Sequence, residues 1–242
     1  MSPPPRRRAS SVAASVRGRV SALDSLVHRV RPPRADPEGA LLLMHGRGTS
    51  ELDLLPLLDA LDPEERLYGV APRAPLALPP GGWHWYAVRR VGHPDKETFC
   101  SSYRLLEEWL DALPELTGLP LSRTVLGGFS MGAVMSYALG LGRGRPAPAG
   151  VLPLSGFIPT VEGFEIDLEA RRGFRVATVH GVHDPVIPVD FAREARRRLE
   201  AGGVELLYRE RPIGHSVDPA SLLELRGWLT ESVAAATESA GA

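Results

Sequence analysis

Ser130, Asp184 and His215 are the side chains of this chain whose types and order could activate a hydroxyl against an acyl carbonyl. Ser130 lies in Gly128-Phe-Ser130-Met-Gly132, a G-x-S-x-G spacing. Val125 and Leu126 before it read as the end of a buried strand, and Ala133 to Leu141 after it is rich in helix formers. In that strand–turn–helix context a serine is lifted onto a sharp, strained turn as a nucleophile. Side chains two residues to either side would collide with the neighbouring strand and helix, which is the mechanical reason for the glycines.

An alcohol is barely nucleophilic at neutral pH, so Ser130 needs a base. The base needs an acid that sets its tautomer and stabilises the imidazolium. In a parallel α/β sheet such groups gather beyond the carboxyl ends of strands. Phe174 to Val179 reads as a strand, and after it His180-Gly-Val-His183-Asp184-Pro-Val-Ile-Pro188 places Asp184 in a proline-held loop. Val204 to Tyr208 reads as the last strand, and Pro212-Ile-Gly214-His215 follows it. The chain order Ser, Asp, His is the one expected for a nucleophile elbow. His28, His84, His93, His180 and His183 do not follow the last strand, where the base is wanted. The rival acids Asp190 and Asp218 read as the start of one helix and the cap of the next.

The tetrahedral intermediate needs donors for its oxyanion. The spacing assigns one to the backbone N–H of Met131, at a helix start, and the other to that of Arg47. Arg47 lies in His45-Gly46-Arg47-Gly48 after the apolar run Ala40 to Met44, and His45 reads as a loop-ordering residue rather than a second base. This loop lacks the lysine and glycine spacing of a phosphate-binding loop. Trp83, Trp85, Phe157, Val186 and Ile187 are the apolar residues expected around the acyl chain.

The positioning elements follow. Ser25 to Arg31 alternates and reads as a strand near a sheet edge, whereas Ala40–Met44 and Gly150–Leu154 are continuous apolar runs suited to a covered sheet. Ser50 is a candidate cap for a helix carrying Leu52, Leu55 and Leu58, with Pro56 making that helix short or late. Leu67–Ala71 is another strand. Residues 72–97 form a long Pro- and Gly-rich loop with Trp83-His-Trp-Tyr86, and Tyr103, Leu106, Trp109, Leu110 and Leu113 follow at helical spacing. Val189–Glu200 and Pro219–Ala236 read as helices. Strands alternating with helices predict a mostly parallel sheet with helices on both faces and no large cap, since under twenty residues separate Ser155 from Phe174.

Together these motifs resemble the phospholipase/carboxylesterase family of α/β-hydrolases, which includes bacterial carboxylesterases and the acyl-protein thioesterases. The resemblance rests on Met44-His-Gly-Arg-Gly48, Gly128–Gly132, His180–Pro188 and Gly214-His215, and runs from about Leu26 to Leu229. It implies the α/β-hydrolase fold and a serine hydrolase of carboxylic or thio esters with no cofactor. The stretch Trp83–Tyr86 matches the family's aromatic segment only loosely, which leaves the acyl preference open. The expected substrate is an ester of a short or medium acyl chain. A thioester or lysophospholipid is the alternative, and a catalytically silent binding protein the remote one.

Composition sets the outer bounds. The 242 residues fit one large α/β domain over residues 23–242, with residues 1–22 set apart. That Pro-, Arg- and Ser-rich start has the composition of an organelle transit peptide and is read instead as a disordered tail or a misplaced start codon. Residues 1–34 hold eight arginines and one acid, which leaves 20 basic and 28 acidic residues, −8, on the rest of the chain. An acidic body argues against nucleic acid as a partner. No apolar run approaches a membrane span. The one cysteine, Cys100, excludes an internal disulfide framework and multi-cysteine metal sites, fits a cytoplasmic location, and reads as structural. No metal is implied, and a homodimer stays open.

Overall fold

A computed structural model describes residues 21–240. The expectation of a tail over residues 1–22 therefore falls almost entirely outside the described residues; Ala22 already belongs to a 3-10 turn, Ala22–Ser25. The first strand, β1 (His28–Arg31), starts later than the alternation of Ser25–Arg31 predicts, because that turn takes up its beginning.

The core strands are β2 (Gly39–Met44), β3 (Leu67–Pro72), β8 (Thr124–Phe129), β9 (Gly150–Leu154), β10 (Arg175–Gly181) and β11 (Glu205–Arg211). With β1 they form one seven-stranded sheet in the order β1-β3-β2-β8-β9-β10-β11. Every neighbouring pair is parallel except β1 with β3, so β1 is an antiparallel edge strand as its one wet face predicts. The helices are α1 (Leu55–Leu61), α2 (Lys96–Asp111), α3 (Leu113–Thr117), α4 (Met131–Leu141), α5 (Asp190–Ala201) and α6 (Pro219–Ala240). No helix among the described residues is long and apolar enough to cross a membrane.

Alternation along the strands divides the core between two faces. Leu42, Met44 and Leu126 pack with Leu106, Trp109 and Leu110 of α2 and with Val134 and Met135 of α4. Leu41, Leu43 and Val125 point the other way, onto Leu58 of α1 and Leu225, Trp228 and Leu229 of α6. Trp109 is buried and donates its indole N–H to the Leu23 carbonyl at 3.1 Å, a core role. Cys100 is half-buried against the same cluster. Ser50 does not cap α1. Its hydroxyl accepts the Leu52 N–H within a preceding turn, and α1 begins only at Leu55, with Pro56 in its first turn, where a missing N–H costs nothing.

Residues 72–97 are ordered by four short strands: β4 (Leu76–Ala77) pairs with β5 (Trp83–His84), and β6 (Val88–Arg90) with β7 (His93–Pro94). The second hairpin turns at Gly92, at φ 83°, where a Cβ would fall 2.5 Å from the ring of Phe191 on α5. Glycine alone lets this hairpin sit down on α5.

Candidate functional site

Because the strands are parallel, the loops leaving β2, β8, β10 and β11 all open at one edge of the sheet. Ser130 follows β8 with φ 56° and ψ −115°, and its N–H donates to the Leu154 carbonyl at 2.9 Å. The flanking glycines are required in this fold. A Cβ on Gly128 would lie 2.5 Å from the Gly132 carbonyl, and one on Gly132 would lie 1.8 Å from the carbonyl oxygen of Met44. Met131 opens α4, so its N–H has no acceptor within the helix.

The acid loop is held by its own backbone. One oxygen of Asp184, Oδ1, accepts the N–H groups of Val186 and Ile187 at 2.8 and 2.9 Å. The other, Oδ2, is 2.6 Å from Nδ1 of His215. Burial acts to raise the Asp184 pKa, but the bonds from His215, Ile187 and Val186 outweigh it and hold the carboxyl below its ordinary value. The ring of His215 lies 4.7 Å from that of Phe129, the residue before Ser130. The two loops touch closely: a Cβ on Gly181 would be 2.1 Å from the Gly214 carbonyl. Asp190 opens α5, and Asp218 accepts the Ser221 N–H at 3.1 Å as a cap of α6. The structure thus brings Ser130, Asp184 and His215 to one end of the sheet, with Nδ1 of His215 bonded to Asp184.

His45 is fully buried under the loop that carries Arg47. Its Nε2 accepts the Ala74 N–H at 3.0 Å, so the proton is on Nδ1, which donates to the Gly46 carbonyl at 2.7 Å. Both nitrogens are spent on backbone, which makes His45 a loop-ordering residue. Burial holds its pKa below the ordinary 6.5, against weaker pulls from the Gly46 carbonyl and then from Asp53 and Glu51. His180 is also buried, lowered for the same reason, and bonded to the Ile187 carbonyl at 2.7 Å. An unfolded chain would protonate both near pH 6.5 whereas the folded one resists, so stability is lost as pH falls through and below that value. Melting temperature is expected to decline between pH 7 and pH 5.5; a flat or rising profile would contradict the neutral assignments.

Two of the five residues expected around an acyl chain do not line the cleft beside Ser130. Trp85 is fully buried and donates its indole N–H to the His45 carbonyl at 2.9 Å. Trp83 exchanges backbone bonds with Gly48 and Thr49, and its ring lies 4.9 Å from the Arg73 guanidinium. Arg73 in turn forks onto buried Glu51 at 2.6 and 2.7 Å. Both tryptophans lie against the loop of Arg47, and the Trp85 indole N–H, taken below the surface, needs an acceptor and finds it in the His45 carbonyl. Phe157, Val186 and Ile187 do line the cleft, with Arg47, Ser130 and Met131. The cleft encloses about 440 Å³ of empty space, part of it open to solvent. Its far wall is the β6–β7 hairpin, through Val88, Arg90, Val91 and His93. Sequence reasoning missed those residues, since nothing in their spacing shows that the hairpin folds back over the sheet end.

Comparison with known proteins matches residues 27–232 to the family described as Phospholipase/Carboxylesterase. The chain is 26% identical to the mouse protein named lysophospholipase-like protein 1, over 87% of this chain and 95% of that one. It is 25% identical to acyl-protein thioesterase 1 of Cryptococcus neoformans, over 86% and 98%. The crystal structure of the Bacillus cereus carboxylesterase superposes with a TM-score of 0.75 at 23% identity, over 86% and 94% of the two chains.

Proposed function

The chain belongs to the phospholipase/carboxylesterase family of α/β-hydrolases, and from that premise we propose that it is a serine esterase acting on carboxylic esters of short or medium acyl chains. One observation carries the reading. The 2.6 Å bond from His215 to Asp184 holds the imidazole against Phe129, whose chain neighbour Ser130 lines an apolar cleft. In the proposed cycle Ser130 Oγ attacks the ester carbonyl while His215 Nε2 takes its proton. Asp184 holds the tautomer and balances the imidazolium. The N–H groups of Met131 and Arg47 receive the oxyanion, each such donor being worth about 2.7–4 kcal/mol. His215 then protonates the leaving alcohol, and water repeats the sequence on the acyl-enzyme. Every proton and electron pair is carried by Ser130, His215, the ester or water, so the cycle calls for no cofactor. A cytoplasmic site of action, in keeping with the single cysteine, is part of the proposal.

A thioester is the second reading, favoured by the resemblance to proteins named acyl-protein thioesterase. The same triad would serve, with a thiol leaving. Assay of p-nitrophenyl esters of increasing acyl length, with an acyl-thioester in parallel, separates the two. A small cleft with no large cap predicts kcat/KM highest for short or medium acyl chains. A steep rise on long-chain lipid aggregates, absent with dissolved short esters, would contradict it.

A further inference from the structure

The cleft is apolar within and cationic at its mouth. Val88, Val91, Phe157 and Ile187 supply walls, and the charged or chargeable side chains among its lining are Arg47, Arg90 and His93, with no aspartate or glutamate. β6 and β7 set Arg90 across from His93, and the Arg90 guanidinium donates to His93 Nε2. Arg47 has no carboxylate partner among the described residues. Several other arginines of this acidic body are matched, as Arg145 is to Asp111 at 2.7 Å and Arg193 to Glu210 at 2.8 Å. The nearby acids are taken. Asp95 caps α2 through Thr98, and Glu194, in the adjoining groove past Phe157, is bound by Arg197.

We propose that this mouth is an anion subsite, and that the cleft takes esters carrying a carboxylate or a phosphate, held by Arg47 and Arg90 while the reacting carbonyl sits at Ser130. The inference rests on the serine-hydrolase reading above. A guanidinium presents a planar fork of N–H donors that matches either anion. Arg89 does not line the cleft and is left out of the subsite.

The test compares kcat/KM at low salt within two matched pairs. Mono-p-nitrophenyl adipate against p-nitrophenyl hexanoate puts the anion on the acyl side. 1-Butyrylglycerol 3-phosphate against 1-butyrylglycerol puts it on the alcohol side. At least one pair should favour the anion by about tenfold, about 1.4 kcal/mol, and which pair does so identifies the end that carries the charge. Arg90→Glu, at an exposed position, should cut that ratio tenfold or more, and added salt should shrink it. Ratios near one in both pairs, or a ratio that Arg90→Glu leaves alone, overturn the anion subsite while hydrolysis itself stands. Calorimetric binding of monomethyl adipate against methyl hexanoate to Ser130→Ala repeats the comparison without turnover. Preferred binding of the anion by a chain that hydrolyses none of these esters would keep the subsite and sink the serine-hydrolase reading; equal binding of the two would sink the subsite.

Discussion

Replacing Ser130 with alanine is expected to lower kcat on p-nitrophenyl esters by on the order of 10⁴- to 10⁶-fold. The effect is large because Ser130 Oγ is the atom that forms the acyl-enzyme in the proposed cycle. Stability should change little, since the backbone bond from Ser130 N–H to Leu154 does not involve the side chain. The signature is non-additive. His215→Ala should cost nearly as much, and the double variant no more than Ser130→Ala alone, because groups that act as a unit fail together. The burst of p-nitrophenol and labelling by a fluorophosphonate should both vanish in Ser130→Ala. Unaltered turnover in that variant would sink the mechanism.

Gly132→Ala is expected to be among the most damaging single-methyl changes in the molecule. Its Cβ would sit 1.8 Å from the Met44 carbonyl oxygen and 2.7 Å from that of His45. Both are backbone atoms of the strand end that leads to Arg47, so no side chain can swing aside. Overpacking of this kind costs about 3 kcal/mol or more when backbone must give. The displaced loop also carries the proposed second oxyanion donor, and a misplacement of about 1 Å can cost on the order of 10²-fold in rate. The urea midpoint should fall, and kcat/KM with it. Gly227→Ala is the control: it lies in α6, exposed, with nothing within 4 Å of its Cβ, and should hold or raise stability by up to about 1 kcal/mol. Equal midpoints for the two variants would remove the steric account of the elbow.

Much of the architecture is legible in the residues, for reasons that differ from element to element. Ala40–Met44 and Gly150–Leu154 announce covered strands because burial on both faces demands unbroken apolar side chains. Asp184 and His215 are found by position, as polar residues just past such strands. Trp85 misleads because an aromatic run reads alike whether it meets a ligand or a loop. What decides is where an indole N–H finds its acceptor, and the His45 carbonyl is placed only by tertiary structure. Arg90 and His93 are silent in sequence for a related reason. Their place over the cleft depends on Gly92 meeting Phe191, a contact between distant parts of the chain. Ser50 satisfies the local rule for a cap and loses to Pro56, which moves the helix start past it.

The strand order has a consequence for how this molecule would come apart. β11 pairs only with β10, and the loop beyond it carries His215. Parallel neighbours cannot be joined by a hairpin, so each pairing waits on closure of a long intervening segment. An edge strand also opens more readily than those inside the sheet. Detachment of β11 alone would withdraw His215 while Ser130, Asp184 and the strands between them kept their places. In the proposed cycle turnover therefore reports the state of the outermost parallel strand, and its loss would precede the loss of the sheet.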